Sequence, residues 1–169
     1  RPEGASGSAV VSSLEGSRTI LVEVQSLVCP TLFGVPRRTV VGVDYNKVML
    51  LAAVLEKKAG IQLANHDIFL KVAGGMRLEE PAIDLGILAS ITSNCLDKPI
   101  DSSTVIFGEV GLAGEVRAIS QVEPRVREAA KLGFKRCIMP KDNMKGLKAP
   151  SGMKLEGVST IREAIAKFF

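Results

Sequence analysis

The sequence has few of the residues from which redox, metal and base-stacking sites are usually built. Its 169 residues include no tryptophan, one tyrosine and six phenylalanines. Because single-strand binders stack bases on aromatic rings, any contact with nucleic acid is expected to be mainly with phosphates. Cys29, Cys95 and Cys137 are odd in number, far apart and outside any C-x-x-C pair. They provide no disulfide framework and no zinc-ligand spacing, so a reduced, cytosol-like compartment is expected.

The sequence also offers little for histidine-based catalysis or for nucleotide binding. His66 is the only histidine, and it lies at the polar start of a predicted strand, where a role as a surface-turn residue is the favoured interpretation. The sequence contains no G-x-x-x-x-G-K-[ST] segment, the pattern whose backbone cradles nucleotide phosphates. We therefore expect this segment to hold no metal or cofactor and not to be an ATPase by itself.

Long apolar runs are missing too, and none approaches the roughly 20 residues that span a bilayer. We therefore expect a soluble chain without a membrane partner. Hydrophobic residues make up 46% and charged residues 24% of the chain, a balance typical of one globular domain. The net charge of +4 permits contact with a polyanion but does not establish it.

The chain is expected to begin with a linker and to continue as a single domain. Residues 1–7 are rich in Gly, Ser and Pro, which is typical of a linker from an upstream domain, and residues 8–169 form the predicted domain. The runs SAVVSSL and TILVEVQSL flank a turn at Glu15 to Arg18 and predict a β-hairpin. The next segment, CPTLFGVPRR, is a predicted loop. Its apolar part, Cys29 to Val35, is interpreted as either a lid on the core or a contact between subunits.

Helices and strands alternate along the rest of the sequence. Asp44 is a predicted N-cap of a helix that continues through Ala59 and ends at Gly60. A largely apolar helix starting near Pro81 is predicted to be central and buried. The remaining predictions are strands at 39–43, 67–73 and 104–110, a short strand after Gly114, a helix at 122–132, the strands RCIMP and KLEGV, and a terminal helix capped by Ser159. This order predicts an α+β or mixed α/β domain.

Two groups of charges receive a structural interpretation. One group is three carboxylates that could form an acid-base pair: Glu79, Glu80 and Asp84. The favoured interpretation is that they are solvated charges of a loop and a helix start. Arg125, Arg127 and Lys131 share a predicted helix with Glu123 and Glu128, and we expect pairing between them across a solvated face.

Two ordered stretches resemble Lon-type protease domains. They are GEVGLAGEV at 108–116 and AAKLGFKRCIMPKDN at 129–143. The resemblance implies the α+β fold of the Lon proteolytic domain, also described as ribosomal protein S5 domain 2-like, with mixed sheets packed against helices. It also implies a Ser-Lys catalytic dyad, which this sequence lacks: Ala82 falls on the serine position and Glu123 on the lysine position. A carboxylate cannot act as the neutral amine base, so proteolysis by the usual dyad is not expected.

Longer segments resemble the C-terminal domain of the bacterial RadA (Sms) family. They are GASGSAVVSSLEGSRTILVEVQSLV, PTLFGVPRRTVVGVDYNKVMLLAAVLEKKAG, DIFLKVAGGMRLEEPAIDLGILAS and VIFGEVGLAGEVR. The resemblance implies a cytoplasmic bacterial factor that acts in DNA repair and homologous recombination. Complete members carry a zinc motif and a RecA-like ATPase core, so ATP, Mg and Zn belong to those domains. It further implies hexameric rings with helicase and branch-migration activity, and cooperation with the RecA recombinase.

A ring of such domains would meet DNA phosphates through cations on loops. The candidates are Arg37, Arg38, Lys47, Arg77 and Arg117. Two alternatives remain open at this point. One is a Lon-like peptidase with a relocated nucleophile, such as Ser90 or Ser120, and the other is a purely structural ring-forming module that does not touch DNA.

Overall fold

The structure, a computed structural model, describes residues 4–169 as nine strands and four helices joined by turns. The strands are β1 (Ser8–Glu15), β2 (Arg18–Pro30), β3 (Arg38–Val41), β4 (His66–Val72), β5 (Thr104–Ile106), β6 (Glu109–Val110), β7 (Val116–Arg117), β8 (Arg136–Pro140) and β9 (Lys154–Val158). The helices are α1 (Tyr45–Ala59), α2 (Asp84–Leu96), α3 (Val122–Lys131) and α4 (Ile161–Phe168). Within residues 4–169, no helix is both long and apolar enough to cross a membrane.

A seven-stranded sheet in the order β3-β4-β2-β1-β5-β8-β9 forms the centre of the fold. β2 pairs antiparallel with β1 and with β4, and the other neighbours pair in parallel. All the strands of this sheet except β2 therefore run in one direction, and their carboxyl ends share one edge. The result is a mixed α/β fold with a largely parallel central sheet; β6 and β7 form a separate two-stranded hairpin.

Helices cover the two faces of the sheet unequally. α1, α2 and α4 pack on one face, where the larger core includes Val11, Leu55, Leu88 and Phe168. α2 is the central helix, with residues 84–93 all buried, as predicted from its apolar sequence. α3 packs on the second face, over a smaller core that includes Phe107, Val126, Cys137 and Met139.

Part of the second face is covered by no helix of the described residues. The side chains of Leu27, Val41 and Phe69, from β2, β3 and β4, line an open apolar groove there. Leu27 and Val41 are each more than half exposed. α3 therefore covers only the half of this face that is nearest β5 and β8.

Several local predictions are confirmed. β1 and β2 form the predicted hairpin, paired from Ser8 opposite Gln25 to Glu15 opposite Arg18. α1 has its predicted ends, because the Asp44 carboxylate accepts a hydrogen bond from the Lys47 backbone N–H at 3.0 Å, and Gly60 takes the left-handed conformation with φ 71°.

Three predictions need correction. The strand predicted at 104–110 stops at Ile106, because the Gly108 N–H bonds the Ala82 carbonyl at 2.9 Å and the chain then leaves the sheet as β6. The cap of α4 is Thr160, whose hydroxyl accepts from the Glu163 N–H, and not Ser159. Of the predicted linker, residues 1–3 lie outside the described residues. Gly7 is bound to the domain, because it donates to the Ser93 hydroxyl at 2.9 Å and its carbonyl accepts from the Ser26 N–H at 2.8 Å.

Candidate functional site

The carboxyl edge of the parallel strands brings together many of the charged side chains considered above. β3 leads there into the start of α1, β4 into residues 73–83, and β5 into the β6–β7 hairpin. In open α/β sheets, ligands characteristically bind outside this edge. Its charged residues include Lys47, Arg77, Glu79, Glu80, Asp84, Arg117 and Arg125.

The first ion pair at this edge joins α1 to α2. The Lys47 ammonium lies 2.6 Å from one oxygen of the Asp84 carboxylate, and the other oxygen accepts from the Val110 N–H at 3.1 Å. Burial raises the pKa of Asp84, while the hydrogen bonds from Lys47 and Val110 oppose that rise. The Lys47 ammonium is therefore occupied inside the fold, and the pair holds two helices and β6 together.

The second ion pair is more deeply buried. The guanidinium of Arg125, which is fully buried, donates to the two oxygens of Glu80 at 2.6 and 2.8 Å. It also donates to the backbone carbonyls of Ser12 and Ser120, both at 2.9 Å. Glu80 in turn accepts from the Leu14 N–H at 2.7 Å. One guanidinium thus connects β1, the segment before α2 and the start of α3.

This geometry corrects the two structural interpretations of the charges. The expectation that Arg125 lies on a solvated face is wrong, because it shares the inward face of α3 with Val122 and Ala129. The expectation that Glu80 and Asp84 are solvated is also wrong, since each is paired with its own cation. Only Glu79 of that group is exposed, and it pairs with Arg77 at the surface. Val122 three residues before Arg125 and Ala129 four residues after it are the signal that could have placed Arg125 inward.

The five cations predicted to contact DNA do not form a single cluster. Lys47, Arg77 and Arg117 lie at the carboxyl edge, and Arg77 and Arg117 pair with Glu79 and Glu115 there. The other two lie at the opposite edge, where β3 begins.

At that opposite edge the two adjacent arginines differ. Arg38 donates to the carbonyls of Leu63 at 2.7 Å and His66 at 3.2 Å, so it holds the chain locally. The side chain of Arg37 is 78% exposed, and its Nε is 3.7 Å from the Asp67 carboxylate. Arg37 is therefore the most accessible of the five predicted cations.

The positions of the implied protease dyad have no shared geometry for catalysis. Ala82 is buried and offers no hydroxyl, and Glu123 is on the exposed first turn of α3. Ser90, considered as a relocated nucleophile, is buried, and its hydroxyl bonds the Ser26 hydroxyl at 2.6 Å and the Ile87 carbonyl at 2.8 Å. Ser120 is exposed. His66 is half-buried at the start of β4, and its Nδ1 has no hydrogen-bond partner among residues 4–169.

The apolar loop after β2 is anchored at both ends and exposed at its tip. The Asp67 carboxylate accepts from the Thr31 hydroxyl at 2.9 Å and from the Arg37 N–H at 2.7 Å. Between these anchors the exposed fractions of Leu32, Phe33 and Val35 are 82%, 90% and 83%. The loop is therefore not a lid on the core of this chain, and of the two predicted roles the contact between subunits remains.

With this geometry in place, comparison with known proteins identifies the class. The family model described as "Subunit ChlI of Mg-chelatase" matches residues 28–143, which is more than half of the chain. The chain belongs to this family. Its matched region runs from the end of β2 to the turn after β8 and includes both buried ion pairs.

Individual relatives carry a different name from the family model. The chain is 53% identical to the DNA repair protein RadA of Listeria monocytogenes over 167 residues, which cover 99% of the chain and 36% of that protein. The Bacillus subtilis RadA is 53% identical over 165 residues, covering 98% of the chain and 36% of that protein. The Streptococcus pneumoniae RadA is 47% identical over all 169 residues, which are 40% of that protein. The chain thus spans well under half the length of these bacterial DNA repair proteins.

The Arg125–Glu80 pair predicts a large effect of a single substitution on stability. Arg125→Met leaves the Glu80 carboxylate without its cation, which is expected to lower the free energy of unfolding by about 3–5 kcal/mol. Adding Glu80→Gln removes the unpaired charge, so the double variant is expected to lose less than the sum of the two single variants. Urea denaturation followed by circular dichroism measures all four proteins. Additive losses would contradict a coupled pair.

The hydrogen bonds that Asp67 accepts from both ends of the apolar loop predict a low titration midpoint for its carboxylate. The hydrogen bond from the Arg37 N–H, with help from Thr31, lowers the pKa of Asp67 below its ordinary value of 3.8. Since the folded pKa is the lower one, the anchor is fully present above the ordinary value and is lost as pH falls through the folded pKa. In an NMR titration the Arg37 amide proton is expected to shift with a midpoint below 3.8. A midpoint at or above that value would contradict the anchoring role.

Proposed function

We propose that the chain is the Lon-like, non-proteolytic module of a bacterial, cytoplasmic RadA-type DNA repair protein. The observation that carries this proposal is the 47–53% identity to RadA proteins along the whole chain. The whole protein is proposed to be an ATP-dependent DNA helicase that acts in homologous recombination and branch migration. ATP, Mg and Zn would be bound by its other domains, and the RecA recombinase is its proposed partner by family resemblance.

Loss of the protease dyad supports a non-enzymatic role for this module. A Lon-type site needs a serine hydroxyl near a neutral lysine, and the corresponding positions are occupied by Ala82 and Glu123. The relocated nucleophile is not favoured either, because the Ser90 hydroxyl is buried and already donates to a carbonyl. The module is therefore proposed to assemble the protein and to hold DNA.

Ring assembly, proposed here as a hexamer, is supported by the apolar loop and the open half of the second face. Leu32, Phe33 and Val35 expose apolar side chains on a loop held at both ends. Leu27 and Val41 add exposed apolar area on strands next to that loop. Contiguous exposed apolar surface on a soluble protein commonly marks an interface. We propose that a neighbouring subunit covers this surface.

Replacing an apolar tip residue by a charge is expected to weaken assembly. Leu32→Asp places a carboxylate in the proposed contact, so the variant is expected to shift to smaller species in size-exclusion chromatography with light scattering. Leu132→Asp, on an exposed leucine just after α3, is the matched control and is expected to keep the wild-type mass. Equal masses for all three proteins across a concentration series would argue against the loop as the contact.

DNA binding is proposed to use the predicted cations Arg37, Arg38, Lys47, Arg77 and Arg117. The exposure of Arg37 supports its role most directly. The other four would have to exchange a carboxylate or carbonyl partner for phosphate. Each phosphate bound in this way would add a salt-dependent increment to affinity.

The DNA role is tested by a salt series with a labelled single-stranded oligonucleotide and the 169-residue chain. Arg37→Ala is expected to weaken binding and to reduce the slope of log K against log salt by about 0.7, the value of one phosphate contact. Lys98→Ala, which removes an exposed cation from the end of α2, is expected to leave the slope unchanged. Absence of any salt-dependent binding by the wild-type chain, with its assembly recorded in parallel, would overturn the DNA role and favour a purely structural module.

A further inference from the structure

A run of cations without carboxylate partners includes none of the five predicted DNA contacts. Six exposed side chains between residues 127 and 148 form no ion pair with any carboxylate of residues 4–169. They are Arg127, Lys131, Lys135, Lys141, Lys145 and Lys148. The five predicted cations, in contrast, each have a carboxylate or carbonyl partner among residues 4–169. Free positive charge is therefore concentrated beside α3.

Two of these cations, Arg127 and Lys148, line a groove between α3 and the loop that follows β8. Glu123, Arg127 and Lys131 recur every four residues and so share one face of α3. The groove itself is lined by Glu123, Val126, Arg127, Gly146, Leu147, Lys148 and Pro150. Arg127 stands on its helical wall and Lys148 on its loop wall, so positive charge faces the groove from both sides.

The loop wall is fixed in place. The Asn143 side chain accepts from the Ile119 N–H at 2.8 Å and donates to the Ile119 carbonyl at 3.0 Å. Met144 and Leu147 pack against the smaller core beneath α3. The lysines of this loop are therefore held beside α3 before any ligand arrives, which lowers the entropic cost of binding.

We propose that this groove binds the sugar-phosphate backbone of DNA. The inference rests on the proposed DNA function and assigns that function to a surface that contains none of the five predicted cations. Four residues of helix separate Arg127 from Lys131, a rise of about 6 Å, so the two cations span roughly two nucleotides of a strand. Among residues 4–169, no aromatic side chain lines the groove. Contact is therefore with phosphates and not by stacking of bases.

Glu123 gives the proposal a test of opposite sign. Its carboxylate lines the same groove and repels phosphate, so it limits the affinity of the site. Glu123→Gln keeps the size of the side chain and removes the charge. This variant is expected to bind DNA more tightly, which a variant that had simply unfolded would not do.

The experiment measures fluorescence anisotropy of a labelled single-stranded oligonucleotide with the 169-residue chain across a salt series. Arg127→Ala/Lys148→Ala is expected to reduce the salt slope by about 1.4, the value of two phosphate contacts. Lys57→Ala/Lys98→Ala is the matched control, because it removes two exposed cations elsewhere that pair with no carboxylate of residues 4–169, and it is expected to leave the slope unchanged. Glu123→Gln is expected to raise affinity at low salt.

The outcomes separate this inference from the function on which it rests. Salt-dependent binding by the wild-type chain that is the same in the groove variants and in the control would overturn the groove, while the DNA function stands. Equally weakened binding by the two double variants would also overturn it, because the total charge of the chain would then be sufficient to explain DNA binding. No DNA binding by the wild-type chain would overturn both. A reduced slope only in Arg127→Ala/Lys148→Ala, with tighter binding by Glu123→Gln, supports the groove.

Discussion

The buried guanidinium of Arg125 is the contact on which the arrangement of the second face depends. A buried charge is tolerated only when it is paired and its donors are satisfied. Glu80 supplies both oxygens, and the carbonyls of Ser12 and Ser120 take further N–H groups. Those partners come from three separate parts of the chain. Arg125 therefore fixes where α3 sits on the sheet, and with it the smaller core.

The position of α3 determines what the rest of that face can do. A ten-residue helix is about 15 Å long and 10 Å wide, whereas seven strands at about 4.8 Å spacing extend across roughly 30 Å. One such helix cannot cover the whole face. The half under β3 and β4 stays open and apolar, and the flank of α3 meets the loop after β8 to form the cationic groove. Two surfaces of different chemistry thus follow from one short helix.

Local signals predicted the parts of the fold that depend on neighbouring residues. The hairpin of β1 and β2, the capped ends of α1 and the apolar, buried α2 could all be read from short stretches of sequence. The break after Ile106 could not, because it depends on Gly108 bonding the Ala82 carbonyl from a distant segment. The site was less predictable than the fold. Whether a charge is free depends on which carboxylate lies next to it in space, and Glu80, 45 residues from Arg125, gives no local sign of that pairing.

The two buried ion pairs give the charged edge of the sheet a structural role. Lys47–Asp84 joins α1 to α2, and Arg125–Glu80 joins α3 to β1 and to the segment before α2. Removing one member of such a pair leaves an uncompensated charge in a buried place, which costs far more than the pair itself contributes. The paired charges at this edge thus contribute to the integrity of the fold. Because these four charges are engaged inside the fold, the charges most available to a ligand are exposed ones, such as Arg37 and Arg127.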